Sequence, residues 1–300
     1  MAQKIKLTFL GTSDAIPSAK RNHTAILLSY NEENILIDCG EGTQRQFRKA
    51  RLNPCKTTRI LITHWHGDHV LGIPGLLQTF ALSGYNKKIY IYGPKGTNQY
   101  IKEMLNSFKF AEKYYIEVKE VTGKFFESDE FYLEAESMQH GAPTNAYNFV
   151  IKDKIRIDKK KLAKAKLPSG PLLQKLKQGG DVFYNGKKYK SKDLTYLEKG
   201  KKISIVLDTL DNSKIIPFVK NANLLICESS FGKDLESHSK EHLHLTSEQA
   251  GEIAKKSKSK KLILTHISAR YEANMEQILN ETKRIFRNSY LVKDLDAVEI

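Results

Sequence analysis

Four apolar runs in this chain each stop on a residue able to bind a metal ion. Ile60-Leu61-Ile62-Thr63 leads into His64, Ser204-Ile205-Val206-Leu207 into Asp208, and Ile263-Leu264-Thr265 into His266. The β-branched and aromatic stretch from Tyr114 to Met138 leads through Gln139 into His140. Short apolar runs bounded by polar loops read as strands. Interleaved with helical stretches they define an α/β class, and in such sheets functional groups gather at the carboxyl ends of strands. The chain is thereby constrained to a fold that brings these four strand ends together.

The first of them opens the densest donor cluster, Thr63-His64-Trp65-His66-Gly67-Asp68-His69. His64 and His66 are two apart, so in extended backbone they point the same way. Gly67 gives the backbone freedom to turn, which aims Asp68 and His69 at a second point nearby. Imidazoles and carboxylates without thiolate suit zinc, with manganese or iron as alternatives. The bland alternative is a polar surface loop; with three of nine histidines in seven residues, we read a metal site. A lone His140 or His266 would be an ordinary loop-edge histidine. Together with Asp208 they complete seven donors, enough for two ions sharing a carboxylate.

At 300 residues the chain can bury a large core. No apolar run approaches the ~18 residues of a membrane span. The start, Met1-Ala2-Gln3-Lys4-Ile5-Lys6, enters a strand-like run without a signal-peptide core. Three cysteines (Cys39, Cys55 and Cys227) without a CxxC fit a reducing compartment, so we expect a cytoplasmic protein with no membrane partner. Net charge is +15, concentrated in one place: residues 151–202 hold 17 Lys or Arg against 5 Asp or Glu, leaving 32 and 29 elsewhere. A solvated loop is the common meaning of such a run. As a surface it favours a polyanion, with nucleic acid ahead of membrane.

In chain order, Lys6 to Leu10 reads as a strand and Pro17-Ser18-Ala19-Lys20-Arg21-Asn22 as an exposed basic turn. Thr24 to Ser29 and Asn34 to Ile37 form a hairpin pair, closed by the glycine-rich Asp38-Cys39-Gly40-Glu41-Gly42. Helices fit Gln44 to Leu52, Pro74 to Ser83, Thr97 to Asn106, Ser247 to Lys256 and Asn274 to Phe286. Further strands fit Lys88 to Tyr92, Lys202 to Leu207, Asn223 to Ile226 and Lys261 to Leu264.

With HxHxDH followed by His140, Asp208 and His266, the chain resembles the metallo-β-lactamase-fold hydrolases. Further pieces resemble short-form ribonuclease Z, the tRNA 3′-processing endonucleases. They include Leu36-Ile37-Asp38-Cys39-Gly40-Glu41-Gly42-Thr43-Gln44, Gly72-Ile73-Pro74-Gly75-Leu76 after the histidine cluster, and Leu264-Thr265-His266-Ile267-Ser268-Ala269-Arg270-Tyr271. Pro168-Ser169-Gly170-Pro171-Leu172 resembles the Gly-Pro motif of that family's exosite arm. Residues 17–22 match its PxKxRN loop, with Ala19 where the family has lysine; His244-Leu245-Thr246 and Glu228 match two more motifs.

The resemblance implies an αββα sandwich of residues 1–300 with an inserted basic arm at 151–202. It implies zinc on His64, His66 and His140, a second zinc on Asp68, His69 and His266, and Asp208 between them. Asp68 would also accept a proton from the attacking water, and His244, positioned by Glu228, would protonate the leaving 3′ oxygen. Lys20, Arg21, Asn22 and Arg270, with Gly170 and Pro171 on the arm, would contact precursor tRNA. A homodimer would let one subunit's arm hold tRNA whose 3′ end enters the other's site. Asp38 reads as support for a donor, Trp65 as a wall of the site, and His23, His238 and His242 as surface or packing residues. Competing readings are a phosphodiesterase or thioester hydrolase on the same scaffold, and a nucleic-acid-binding protein without catalysis.

Overall fold

The computed structural model describes residues 4–109 and 113–300. The first three residues of the expected N-terminal run lie outside them. The described residues form two compact units: one of 4–109, 113–126, 133–149 and 202–300, the other of 127–132 and 150–201.

In the larger unit the central strands are buried along almost their whole length, because both of their faces are covered. The first sheet takes β1 (Lys6–Gly11), β2 (Ala25–Tyr30), β3 (Glu33–Ile37), β4 (Arg59–Leu61), β5 (Ile89–Gly93) and β6 (Ile116–Glu120). The second begins with β7 (Gly123–Glu127), β8 (Phe131–Met138) and β9 (Thr144–Ile151). Strands β10 (Lys154–Ile157), β11 (Val182–Tyr184), β12 (Lys187–Tyr189) and β13 (Thr195–Glu198) belong to the smaller unit. The second sheet resumes with β14 (Lys202–Val206), β15 (Leu224–Glu228), β16 (Leu262–Thr265) and β17 (Ser289–Leu291), and β18 (Ala297–Glu299) returns to the edge of the first. The orders are β18-β1-β2-β3-β4-β5-β6 and β17-β16-β15-β14-β9-β8-β7.

Each sheet carries helices on its outer face. Phe47, Ile73, Leu76, Leu77 and Phe80 of the helices Thr43–Lys49 and Ile73–Leu82 bury against Leu27, Leu36 and Ile60. Ala250, Ile253, Ala254 and Ile278 of Ser247–Lys256 and Met275–Ile285 bury against Leu225, Leu262 and Leu264. The sheets meet on their inner faces: the rings of Tyr30 and Phe149 are 5.5 Å apart, and Tyr147 Oη donates to Ile62 O at 2.6 Å. This is an αββα sandwich. The helix Ser247–Lys256 starts on a capping box, Thr246 with Gln249, which satisfies two orphan N–H groups.

The smaller unit is light. Strand β10 pairs with β13 and β11 with β12, and its core is Leu167, Leu176, Val182 and Leu194. Gly170 has φ 138°, which favours glycine, and Pro171 opens the helix Pro171–Lys177, where its missing N–H costs nothing. Among the described residues no helix is long and apolar enough to cross a membrane.

Candidate metal centre

All four of the strand ends singled out by sequence converge. β4, β8, β14 and β16 stop within three residues of His64, His140, Asp208 and His266. Asp68 and His69 arrive on a single helical turn, Gly67–Val70, capped by His66. Gly67 has no positive φ, so it opens this turn as any helical residue would, correcting the expected glycine bend. The close fit falls instead on Gly40 and Gly72. A Cβ on Gly40 would sit 2.4 Å from Asp68 O, and one on Gly72 would sit 2.1 Å from Gly40 O. Backbone bonds from Cys39 N to His69 O and Gly72 N to Cys39 O, both 2.8 Å, lace the two loops together.

The donors fall into two adjoining groups. His64, His66 and His140 form one; Asp68, His69, Asp208 and His266 form the other. Asp208 faces both, with carboxylate oxygens 3.6 Å from His64 Nε2, 3.4 Å from His69 Nε2, 4.0 Å from His140 Nε2 and 3.3 Å from His266 Nε2. His66 Nδ1 lies 3.3 Å from His140 Nε2. Asp208 and His266 hold φ of 37° and 53°, an uncommon conformation for residues with a side chain, in the way functional sites store backbone strain.

Four imidazoles are tied down from behind. His69 Nδ1 donates to Asp38 at 2.7 Å, His140 Nδ1 to Leu243 O at 3.0 Å, His64 Nδ1 to Thr63 Oγ1 at 3.1 Å, and His266 Nδ1 to Ser230 Oγ at 2.9 Å. With Nδ1 protonated and engaged, Nε2 is left facing the centre, the tautomer a metal needs. Asp38 fills its expected supporting role: its other oxygen accepts from Thr63 N at 2.7 Å, and its φ of 55° turns it inward.

The electrostatics fit a cation. His64 Nε2 and Asp208 Oδ1 are buried without a hydrogen-bond partner among the described residues, a costly arrangement unless something binds there. Burial and neighbouring His69 press the His64 imidazole well below its ordinary value, toward the neutral, ligating form. His140 is lowered too, chiefly by burial. Burial also opposes charge on His69 and His266, yet Asp208, first among their carboxylate neighbours, raises both. Burial would raise Asp208 and Asp68; His266 and His69 outweigh it for Asp208, and His69 and His266 for Asp68, so both carboxylates are lowered. The buried carboxylates that raise these two imidazoles would attract a bound cation in the same way, and metal and proton compete for such donors. The donor set has the chemistry and spacing of groups that could hold metal ions.

Glu228, wholly buried, accepts from Thr209 N at 2.7 Å, Ser230 Oγ at 2.6 Å and His244 Nδ1 at 3.0 Å. It thus both serves backbone and aims His244. Burial pushes the His244 imidazole down, but the Glu228 carboxylate outweighs this and lifts it to about 9. His244, Arg270 and Asp68 share the lining of an open cavity of about 290 Å³.

The basic turn departs from expectation. Lys20 is exposed, but Arg21 is buried, donating to Thr12 O, to Thr12 Oγ1 at 3.2 Å and to Ile267 O at 2.8 Å. Its guanidinium ties loop to loop and is not offered to a ligand. Asn22 braces the glycine-rich loop through Glu41 O at 2.7 Å. Sequence reasoning missed Asp294, whose carboxylate accepts from Thr12 Oγ1, Asn22 N and Gln46 Nε2 at 2.7–2.8 Å. Its partners lie hundreds of positions away, so no local signal marks it. Trp65 is not a wall of the cavity: its indole donates to Thr97 Oγ1 at 2.9 Å and packs on Tyr100. His238 and His242, left as surface or packing residues, line the cavity beside His244. Their spacing of one helical turn was the available signal. Gly170 and Pro171 lie on the smaller unit.

Two sheets with outer helices and a donor set at their strand ends define a metallo-β-lactamase-fold protein. The metallo-β-lactamase fold protein YhfI from Bacillus subtilis superposes with a TM-score of 0.73 at 17% identity, covering 99% of this chain and all of that one, a likeness of fold. The short form of human tRNase Z gives a TM-score of 0.70 at 26% identity over 98% of both chains. The family model for the anti-Pycsar protein Apyc1 matches residues 5–165, so the chain carries that sequence family over this span. Over nearly its whole length it is 36% identical to the ribonuclease Z of Nanoarchaeum equitans, across 290 residues, 97% of this chain and 92% of the relative. The chain belongs to the ribonuclease Z family.

Proposed function

We propose that this chain removes the 3′ trailer from precursor tRNA, leaving a 3′ hydroxyl on the tRNA and a 5′ phosphate on the trailer. Its class, a metal-dependent endoribonuclease, follows from family membership; substrate, products and metal are our reading. The observation that carries it is the meeting of all seven expected donors in a chain matched end to end by ribonuclease Z.

In this reading His64, His66 and His140 would hold one zinc ion and Asp68, His69 and His266 another, with the Asp208 carboxylate available to both; manganese or iron are the alternatives. When bound, the ions supply Lewis acidity that lowers the pKa of water and neutralises charge on the phosphoryl oxygens. Asp68 Oδ2, within 3.4 Å of His69 Nε2 and His266 Nε2, is held by them and accepts the proton of the attacking water. His244, kept protonated by Glu228, donates to the leaving 3′ oxygen. Arg270 on the cavity wall, with Lys20 and Asn22, contacts backbone phosphates. The basic arm, with Gly170-Pro171 at a helix start, grips folded tRNA through phosphates and shape. The enzyme works as a cytoplasmic homodimer in which arm and site come from different subunits.

The test is cleavage of a precursor tRNA with a 3′ trailer, beside Asp68→Ala and a chelated sample. Cleavage next to the discriminator base, lost in both controls, supports the reading. An intact precursor alongside hydrolysis of a small phosphodiester would favour the second reading, a general phosphodiesterase.

A further inference from the structure

One cluster of donors stands apart from the deep set. His238-Ser239-Lys240-Glu241-His242 occupies the helix Glu236–Glu241 and its C-terminal cap. Histidines four apart share a helix face, one turn from each other. The two rings are 4.3 Å apart between centroids, and Glu241 Oε2 lies 3.9 Å from His238 Nδ1. One donor atom from each of the three residues lies within 4.8 Å of the others. The ring of His238 is steadied by Phe231, edge-on at 5.1 Å between centroids.

The position gives the cluster a consequence. Both histidines line the cavity that also exposes His244 and Asp68. The next residue, Leu243, has φ 58°, and its carbonyl accepts from His140 Nδ1. Ser239, between the histidines, donates to His244 O at 2.7 Å and accepts from His244 N at 2.9 Å. The turn 238–244 therefore orients one deep donor and the candidate acid together.

We propose that His238, Glu241 and His242 form an accessory site for a single zinc-class divalent cation on the rim of the catalytic cavity, and that filling it clamps the 238–244 turn. Two imidazoles and one carboxylate, with positions left for water, select zinc, cobalt, nickel or copper over magnesium. The site is shallower than the deep set, with Glu241 76% exposed. It fills at free zinc concentrations above those that load the deep set.

The test is equilibrium dialysis of the zinc-loaded full chain against buffered free Zn²⁺ rising into the micromolar range, with zinc counted per chain. One further ion is expected in the wild type. His238→Ala and His242→Ala each weaken it at least tenfold while the deep content stays, and Glu241→Gln, which leaves both rings in place, weakens it less. Asp208→Ala, which empties the deep set, retains the further ion, so this site and the deep one are read separately. Excess Mg²⁺ does not compete. An unchanged count and affinity in all three rim variants overturns the proposal. So does loss of the further ion only in step with the deep zinc.

Discussion

The donor set and the basic arm solve opposite problems with opposite materials. At the centre, five of seven donors are buried, and four imidazoles are tied from behind by Asp38, Thr63, Leu243 O and Ser230. In the arm, most of the 17 basic side chains within 151–202 ride on a small core of four buried apolar residues. Reaction chemistry needs atoms fixed to fractions of an ångström in low dielectric, which only a hydrogen-bonded, packed surround provides. Holding a polyanion needs many solvated charges, each weak and replaceable. Substitutions at the centre should therefore act all at once, and those in the arm by degrees.

The sharpest trial is Asp208→Ala. It takes the carboxylate that faces both donor groups, so deep zinc content and hydrolysis of precursor tRNA and of a small phosphodiester should fall together toward background. Metal analysis at free zinc too low to fill the rim, beside both assays, checks it; deep zinc retained with lost activity would mean Asp208 is not a shared ligand. Next, replacing residues 160–195 by a short linker between β10 and β13, where Arg156 pairs with Tyr196, should abolish tRNA cleavage and spare the small phosphodiester. Equal loss of both would erase the division between centre and arm.

His244→Ala should lower kcat by about 10²–10⁴-fold, as expected for a lost proton donor, with zinc content unchanged. Glu228→Gln should move kcat the same way but less, leaving KM close to wild type; a change confined to KM would make Glu228 a matter of packing alone. The smallest effects belong to single arm lysines. Lys160→Ala, Lys161→Ala or Lys164→Ala should weaken tRNA binding modestly and reduce the dependence of log K on log salt by about 1 or less each. Binding titrations at several salt concentrations read this, and an unaltered salt slope in the combined variant would remove the arm from phosphate contact.

Much of the centre was legible because the donors His64, His140, Asp208 and His266 follow apolar runs, and strand ends leave local marks. The helix Thr97–Asn106 and the helix Ser247–Lys256 stand where their patterns put them. Illegible were relations that only long-range packing creates. Arg21 looks like any exposed arginine in a turn, yet Ile267 O, 246 positions away, draws it inside. Asp294 reads as a polar residue near the C-terminus, yet it joins Thr12, Asn22 and Gln46. Trp65 sits inside the donor motif, but Thr97 Oγ1 and Tyr100 take its ring the other way. The smaller unit also includes residues 127–132, where Glu127 and Glu130 pair with Lys152 and Lys154, contacts that no local pattern announces.

From sequence alone came the identities and order of the donors, the α/β class and the place of the charge, because residue chemistry and hydrophobic period are local properties. Tertiary structure alone decided which nitrogen of each imidazole faces inward, that Asp208 stands between two donor groups, and that His238 and His242 border the same cavity. Those depend on contacts between segments tens to hundreds of positions apart, and no local pattern encodes the register in which separate strand ends meet.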